Sequence, residues 1–195
     1  MTFEEKTLDT QRIYEGAIIN LRRDKVTVQN GTSYREIVEH NGGAVLAALT
    51  PEGKMVMVRQ FRKPAERVML EVPAGKIDAG ELPERAAVRE LKEETGLTED
   101  ALEGLKLRYI TMRNKDGEIR QNYYYFAEIK AGFDVSSSNE GRLEWHSMGS
   151  LDDLPMPVTA RHVVDHYLQV GRHNDKLYGG LTTSDGSVFA VLDDF

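Results

Sequence analysis

From Leu82 to Thr95 the sequence predicts one helix, with Pro83 just inside its start and Gly96 just past its end. On that helix Glu90, Glu93 and Glu94 stand three and four residues apart, so their carboxylates share one face. Like charges at that spacing destabilise an isolated helix, so something must compensate them. Ala87, Val88 and Leu91 fall on the other side and are available for packing, while the small Ala86 lies within the acidic face and leaves room for a ligand. Arg89 stands four residues before Glu93, close enough to pair with it and orient it. Glu81, at the end of the loop before the helix, adds a further carboxylate. Gly75 lies where the preceding strand turns toward the helix, so its backbone carbonyl is placed to face the same site. A tight carboxylate cluster is a hard-oxygen site suited to Mg²⁺ or Mn²⁺, above all when phosphate oxygens complete the shell. The same pattern fits a solvated charged face with ordinary ion pairing, and the cluster alone does not choose between the two.

Composition narrows the class of protein. The 195 residues fit one main domain, and 40% hydrophobic with 29% charged residues describe a soluble globular chain. The absence of Cys excludes disulfides, thiolate catalysis and Cys-ligated zinc, and fits a cytoplasmic protein. Acidic residues outnumber basic ones, 32 to 25, for a formal net charge of −7. That balance argues against a nucleic-acid-binding face, and a phosphate-bearing small substrate would need local Arg, Lys or a metal. The longest apolar run, Ala44 to Leu49, is too short to span a bilayer, and Met1 to Thr10 has no apolar core of a signal peptide. No membrane partner is expected.

Along the chain, residues 1–12 read as a polar arm, mobile or exchanged. One strand is expected around Ile13 to Leu21 and a second around Val26 to Val28. A type I′ turn is expected at Asn30-Gly31, followed by Tyr34, Ile37 and Val38 in a third strand. Residues 1–41 thus form a small antiparallel sheet ahead of the main body, 42–195. There Ala44 to Leu49 and Lys54 to Gln60 flank the turn Thr50-Pro51-Glu52-Gly53, and Val68 to Val72 is a further strand. Leu105 to Met112 and Asn122 to Ile129 pair around Asp116-Gly117. Phe133 to Gly141 is a loop, Arg142 to Met148 a short strand, and Val158 to Val170 a helix stopped by Gly171. His162 and His166 lie one turn apart on that helix, as a solvated face. The lone Trp145 is expected in the core or at an interface. The Gly-rich tail from Asp175 ends in the apolar segment Val188 to Leu192. The order gives α+β, or α/β with a mixed sheet.

The full spacing of the acidic segment is more specific than the cluster. Gly75, Glu81, Arg89, Glu90, Leu91, Glu93, Glu94, Gly96 and Leu97 match every fixed position of G-x5-E-x7-R-E-U-x-E-E-x-G-U, where U is apolar. The chain therefore resembles a Nudix hydrolase. The resemblance implies an α/β/α sandwich around a mixed sheet, with this segment as loop, helix and loop. It implies hydrolysis of a nucleoside diphosphate linked to another moiety, with divalent cations, usually Mg²⁺. By position, Glu90 and Glu94 become the principal metal ligands, Glu93 a further ligand, and Gly75 a backbone ligand. Arg89 orients a glutamate and Glu81 supports the site or the metals. The cations neutralise phosphate charge and lower the pKa of a bound water, and a carboxylate takes its proton.

The flanks are similar to the ADP-ribose pyrophosphatase branch of that family from about Tyr14 to Leu97. The matching stretches are Ile13 to Gly16, Asn30-Gly31 with Arg35 to His40, Val58 to Pro64, and Leu70 to Lys76. That likeness implies a homodimer that exchanges its N-terminal strands and holds the nucleotide between subunits. It places Arg62, and then Arg59, near the substrate, and supplies a catalytic base from a loop glutamate, Glu140, with Glu118 and Glu144 as competitors. Tyr14 is either a stacking platform for a base or strand packing. The second half departs from the branch. Thr111 to Asp116 has no proline where the branch carries one, and Tyr123 to Phe126 with Glu144-Trp145 look more like enzymes of the nucleotide pool. Hydrolysis of ADP-ribose to AMP and a sugar phosphate is therefore set beside pyrophosphate release from nucleoside triphosphates, including oxidised ones. A ligand sensor without turnover is a third reading, and the intact acidic segment argues against it.

Overall fold

The computed structural model describes all residues except 1–3, 17–18, 116–117, 137–140, 152–153, 184–185 and 193–195, and the side chains of 114, 115, 118 and 150. It divides into two compact units, 1–41 and 42–195.

The first unit is a three-stranded antiparallel meander of β1 (Thr7–Glu15), β2 (Asn20–Val28) and β3 (Gly31–Glu39), in that order. The polar arm expected over residues 1–12 is therefore a strand from Thr7 onward. Its side chains are exposed, so no apolar alternation announces it, and the ladder to β2 holds it. The two strands expected at Ile13–Leu21 and Val26–Val28 are likewise redrawn, because β2 runs unbroken through charged Arg22 to Lys25. The hairpin forms, but one residue earlier than expected. Val28 pairs with Gly31, so Gln29-Asn30 is the loop, and only Gly31 takes a positive φ, 131°. Arg12 and Arg22 both bind Glu39, which ties all three strands together, with Arg22 Nη1 donating over 2.9 Å.

The second unit is built on one mixed sheet. Its elements are β4 (Gly43–Leu49), β5 (Lys54–Arg62), β6 (Arg67–Glu71), β7 (Ala74–Lys76), α1 (Pro83–Thr95), β8 (Leu102–Lys115), β9 (Glu118–Ile129), β10 (Arg142–Ser147), α2 (Val158–Gln169), β11 (Tyr178–Thr183) and β12 (Gly186–Val191). The sheet order is β10-β5-β4-β9-β8-β11-β12, with β6 added to β5 and β7 to β4. The β4–β9 and β8–β11 pairs are parallel and the others antiparallel.

Period-two alternation distributes the core between two layers of helix. Ala44, Leu46 and Ala48 of β4, with Tyr125 and Ala127 of β9, pack with Ala87 and Leu91 of α1. Val45, Ala47, Tyr124 and Phe126 face the other way and pack with Val163 and Val164 of α2. Both faces of β4 are covered, which is why it reads as a continuous apolar run. The result is the expected α/β/α sandwich. The turn after β4 forms as expected, with Gly53 N–H donating to Thr50 O at 2.9 Å and Gly53 at φ 75°.

The β8–β9 hairpin is longer than its apolar residues suggested, because its outer part is a backbone ladder carrying charged side chains. The turn expected at Asp116-Gly117 lies outside the described residues. The tail is not loose. β11 adds to β8 and β12 to β11, and Tyr178 and Phe189 stack around Tyr109 and His166. His166 and His162 are accordingly not a solvated face. Tyr109 OH of β8 lies 2.9 Å from His166 Nδ1, whose ring also packs on Tyr178 and Phe189, and Ser187 Oγ lies 2.8 Å from His162 Nδ1, so the two rings tie α2 to β8 and to the C-terminal hairpin. Burial lowers the pKa of His166. Among the described residues no helix is long and apolar enough to cross a membrane.

Candidate active site

The site is assembled where β7 meets α1. Pro83 opens the helix and Gly96 closes it in the left-handed region at φ 76°, its N–H bonded to Lys92 O at 2.9 Å. Ala86, expected to leave space within the acidic face, is instead fully buried with Ala87 and Leu91. Its small side chain brings that edge of the helix down onto the sheet, and the glutamates come with it. Glu94 is 3% exposed. The side chain of Glu90 is 14% exposed and that of Glu93 56%. The acidic face is therefore graded from buried to exposed, which decides against a merely solvated charged surface.

Two backbone contacts hold the buried carboxylates. Ala74 N–H donates to Glu94 Oε2 at 3.3 Å. The Glu90 carboxylate lies directly against the Gly75 backbone, where an added Cβ would stand 1.9 Å from its Cδ and 2.1 Å from either oxygen. Only glycine permits that approach.

Arg89 organises the rest. Its Nε and Nη2 grip Glu81 at 3.0 and 2.9 Å, Nη1 donates to Glu90 Oε1 at 2.6 Å, and Nη2 to Lys76 O at 3.0 Å. Glu93, the partner expected from helical spacing, takes the longest of these hydrogen bonds at 3.5 Å. The planar fork explains the preference, since a bidentate carboxylate outcompetes an exposed one four residues along. Hydrogen bonding from Arg89 holds the Glu81 carboxyl below the usual range, and Glu81 and Glu90 push the guanidinium pKa upward. Three carboxylates, those of Glu81, Glu90 and Glu93, thus share one guanidinium.

Arg59 and Arg62 are three residues apart on β5 and so lie on opposite faces. Arg62 shares the face of Val56, which packs in the α1 layer, and its Nε donates to Glu71 Oε1 at 2.7 Å with Nη2 on the other oxygen. Arg59 shares the face of Met57, in the α2 layer, and its Nε and Nη2 bind Glu144 at 2.7 and 2.8 Å. Of the two arginines the structure brings only Arg62 to the side of α1. The bonds from Arg59, and that from His146, pull the Glu144 carboxyl down to about 2, which leaves it a poor proton acceptor. Tyr14 is exposed on β1, in the first unit. Glu140 lies outside the described residues, as does the side chain of Glu118. Trp145 is not in the core but exposed on β10.

Two residues near the site escaped the sequence reading. Glu71 is buried at the end of β6, and a charge closing an apolar run beside Pro73 was the available clue. Ser136 donates its N–H to Thr95 O at 2.8 Å, and its Oγ stands 2.1 Å from where a Gly96 Cβ would be. Nothing local marks it.

The donors gathered here are hard oxygen atoms. Among the described residues no three acidic or histidine side chains are close enough to enclose an ion by themselves. Such a set fits a cation that also takes backbone and substrate oxygens, the habit of Mg²⁺, better than one needing a closed protein cage.

The chain is similar in sequence and in fold to known proteins. Over 98 residues the chain is 51% identical to the ADP-ribose pyrophosphatase of Bacillus subtilis (strain 168), covering 50% of this chain and 53% of that protein. Over 104 residues it is 49% identical to the methanol dehydrogenase activator of Bacillus methanolicus, covering 53% and 56%. The chain thus spans about half the length of the curated relatives it matches. The crystal structure of the mMutator MutT protein from Bacillus halodurans aligns with a TM-score of 0.58 at 23% identity, over 78% of this chain and 98% of that one, a likeness of fold. Residues 40–167, which hold β4, β9 and the whole carboxylate cluster, match the NUDIX domain. The chain belongs to the NUDIX domain family.

Proposed function

We propose that this chain is a Mg²⁺- or Mn²⁺-dependent diphosphatase that cleaves ADP-ribose, or a related nucleoside diphosphate derivative, into AMP and a sugar phosphate. The observation that carries the reading is the placement of Glu90 and Glu94 against the Gly75 and Ala74 backbone, with Arg89 fixing Glu90. The 51% identity to an ADP-ribose pyrophosphatase over half of the chain supports the substrate.

Glu90 and Glu94 would hold the cation, with the Gly75 carbonyl and substrate oxygens completing its shell. A divalent ion there supplies neutralisation of the diphosphate and acidification of a water. The protein's own work is positional. Arg89 and Glu81 lock the loop before α1 to the helix, so the carboxylates are preset. Arg62 offers positive charge on the same face of a chain that is acidic overall. Attack of water at phosphorus breaks the anhydride bond, and a carboxylate takes the water proton. Glu93, the most exposed of the three clustered glutamates, and Glu140 are the two candidates for that acceptor.

We further propose a homodimer formed through the first unit, which exposes Leu8, Ile13, Tyr14, Tyr34 and Val38.

The test is product analysis by ion-exchange chromatography with Mg²⁺, offering ADP-ribose, other nucleotide sugars, dNTPs and 8-oxo-dGTP in parallel. AMP with ribose phosphate supports the reading, and Glu90→Gln should then abolish turnover. A monophosphate with pyrophosphate as the main outcome would overturn it in favour of a nucleoside triphosphate pyrophosphatase.

A further inference from the structure

We propose that Glu71 is a positioning residue for the substrate diphosphate, acting through Arg62. The inference rests on the diphosphatase reading for its ligand, and on the β5–β6 geometry for its substance.

Glu71 is the last residue of β6 and pairs with Val58, while Arg62 lies at the far end of the same ladder opposite Arg67. The guanidinium therefore reaches back along β5 to find its partner. It does so with the Nε and Nη2 edge, in a bidentate grip. The two ends of the pair are in different surroundings. The Glu71 side chain is 11% exposed and that of Arg62 42%. A carboxylate fixed in the protein thus anchors an arginine that emerges toward solvent. The usual surface ion pair joins two mobile side chains, and this one does not.

The anchor is close to the chemistry. Glu71 precedes Ala74 by three residues, so their backbones are at most about 10 Å apart. Ala74 N–H holds Glu94, and Gly75 carries Glu90. Arg62 is consequently tethered to a residue only three positions before the backbone that holds those carboxylates. Burying a carboxylate is unfavourable without such a partner. A long arginine alone at a strand end would sample many rotamers, and only a few would face a diphosphate. Glu71 selects among them, although its own charge repels phosphate.

A purely structural role, pinning β5 to β6, predicts a different response. The experiment is a double-mutant cycle over Glu71→Ala and Arg62→Ala. It is read by KM and kcat for ADP-ribose with Mg²⁺, by equilibrium binding of ADP with Mg²⁺, and by thermal melting. The expected result for Glu71→Ala is a rise of about tenfold in KM and in the Kd for ADP, with kcat within about twofold. Added to Arg62→Ala, Glu71→Ala should change neither constant further. Glu71→Gln, which keeps an oxygen for Arg62 Nε, should recover most of the affinity and guards against misfolding of the alanine variant. The proposal is overturned if Glu71→Ala leaves KM and Kd unchanged, or weakens binding equally when Arg62 is absent. It is also overturned if Glu71→Gln folds normally yet binds no better than the alanine variant. Failure of the wild type to release AMP would sink the diphosphatase reading, whereas the ADP binding cycle judges Glu71 without turnover.

Discussion

At Gly75 a carboxylate occupies the space in which any side chain would have to begin. Glycine is needed there for that contact, and no turn requirement enters. Gly75→Ala should push Glu90 aside and lower kcat about 100-fold, the usual effect of displacing a reacting group by roughly an ångström. Thermal melting should barely move, because the clash is relieved by one side chain at the edge of the site. A fall in melting temperature large enough to explain the lost activity would contradict this. Arg89→Lys is a second test at the same scale. A lysine keeps the charge but cannot bridge Glu81, Glu90 and the Lys76 carbonyl together. The expected loss is about 10–100-fold in activity or metal affinity, the range seen when groups that orient a ligand are replaced.

Among the elements, β10 is an edge strand secured to β5 by its ladder and by the Arg59–Glu144–His146 group. Because Glu144 titrates at about 2 when folded and near its ordinary 4.5 when unfolded, the unfolded chain binds the extra proton between those values. The stabilisation from this pair is therefore complete above about pH 4.5 and fades as pH falls toward 2. Melting curves of the wild type and Glu144→Gln should differ by a constant amount at neutral pH, about 1 kcal/mol for a partly exposed pair, and converge in acid. A gap that persists at pH 2 would refute the assignment. The same elements show what a sequence can reveal. Helix α1 was legible because its ends carry Pro83 and Gly96 and one side carries Ala87 and Leu91. β4 was legible because both its faces are apolar. β1 was not, because every side chain on it is exposed and only backbone pairing holds it. The carboxylate cluster was legible from spacing, but its internal wiring was not. Arg89 prefers Glu81 over Glu93 for reasons of fork geometry that no one-dimensional spacing encodes. Arg59 and Arg62 looked equivalent as neighbouring cations, and the pleat sends them to opposite faces.

For the molecule as a whole, the exposed apolar side chains of the first unit predict self-association. Light scattering across the micromolar range should give a mass near twice that of the chain. A monomer throughout would remove the proposed dimer. The parallel pairing of β4 with β9 has a consequence in time. Gly43 meets Asn122, so an interior strand of the sheet waits for a neighbour made long after it. A nascent chain that has emerged only as far as Gly96 already carries every glutamate of the helix, yet the flank of β4 that β9 will occupy is open. Val45 and Ala47, which α2 covers later, would stand uncovered at that stage, a face for a chaperone to hold. Non-local pairing of this kind slows folding. The last residues to dock, β11 and β12, complete the layer around Tyr109. Synthesis of this protein therefore passes through a stage in which the carboxylate-bearing helix has left the ribosome before the sheet beneath it is complete.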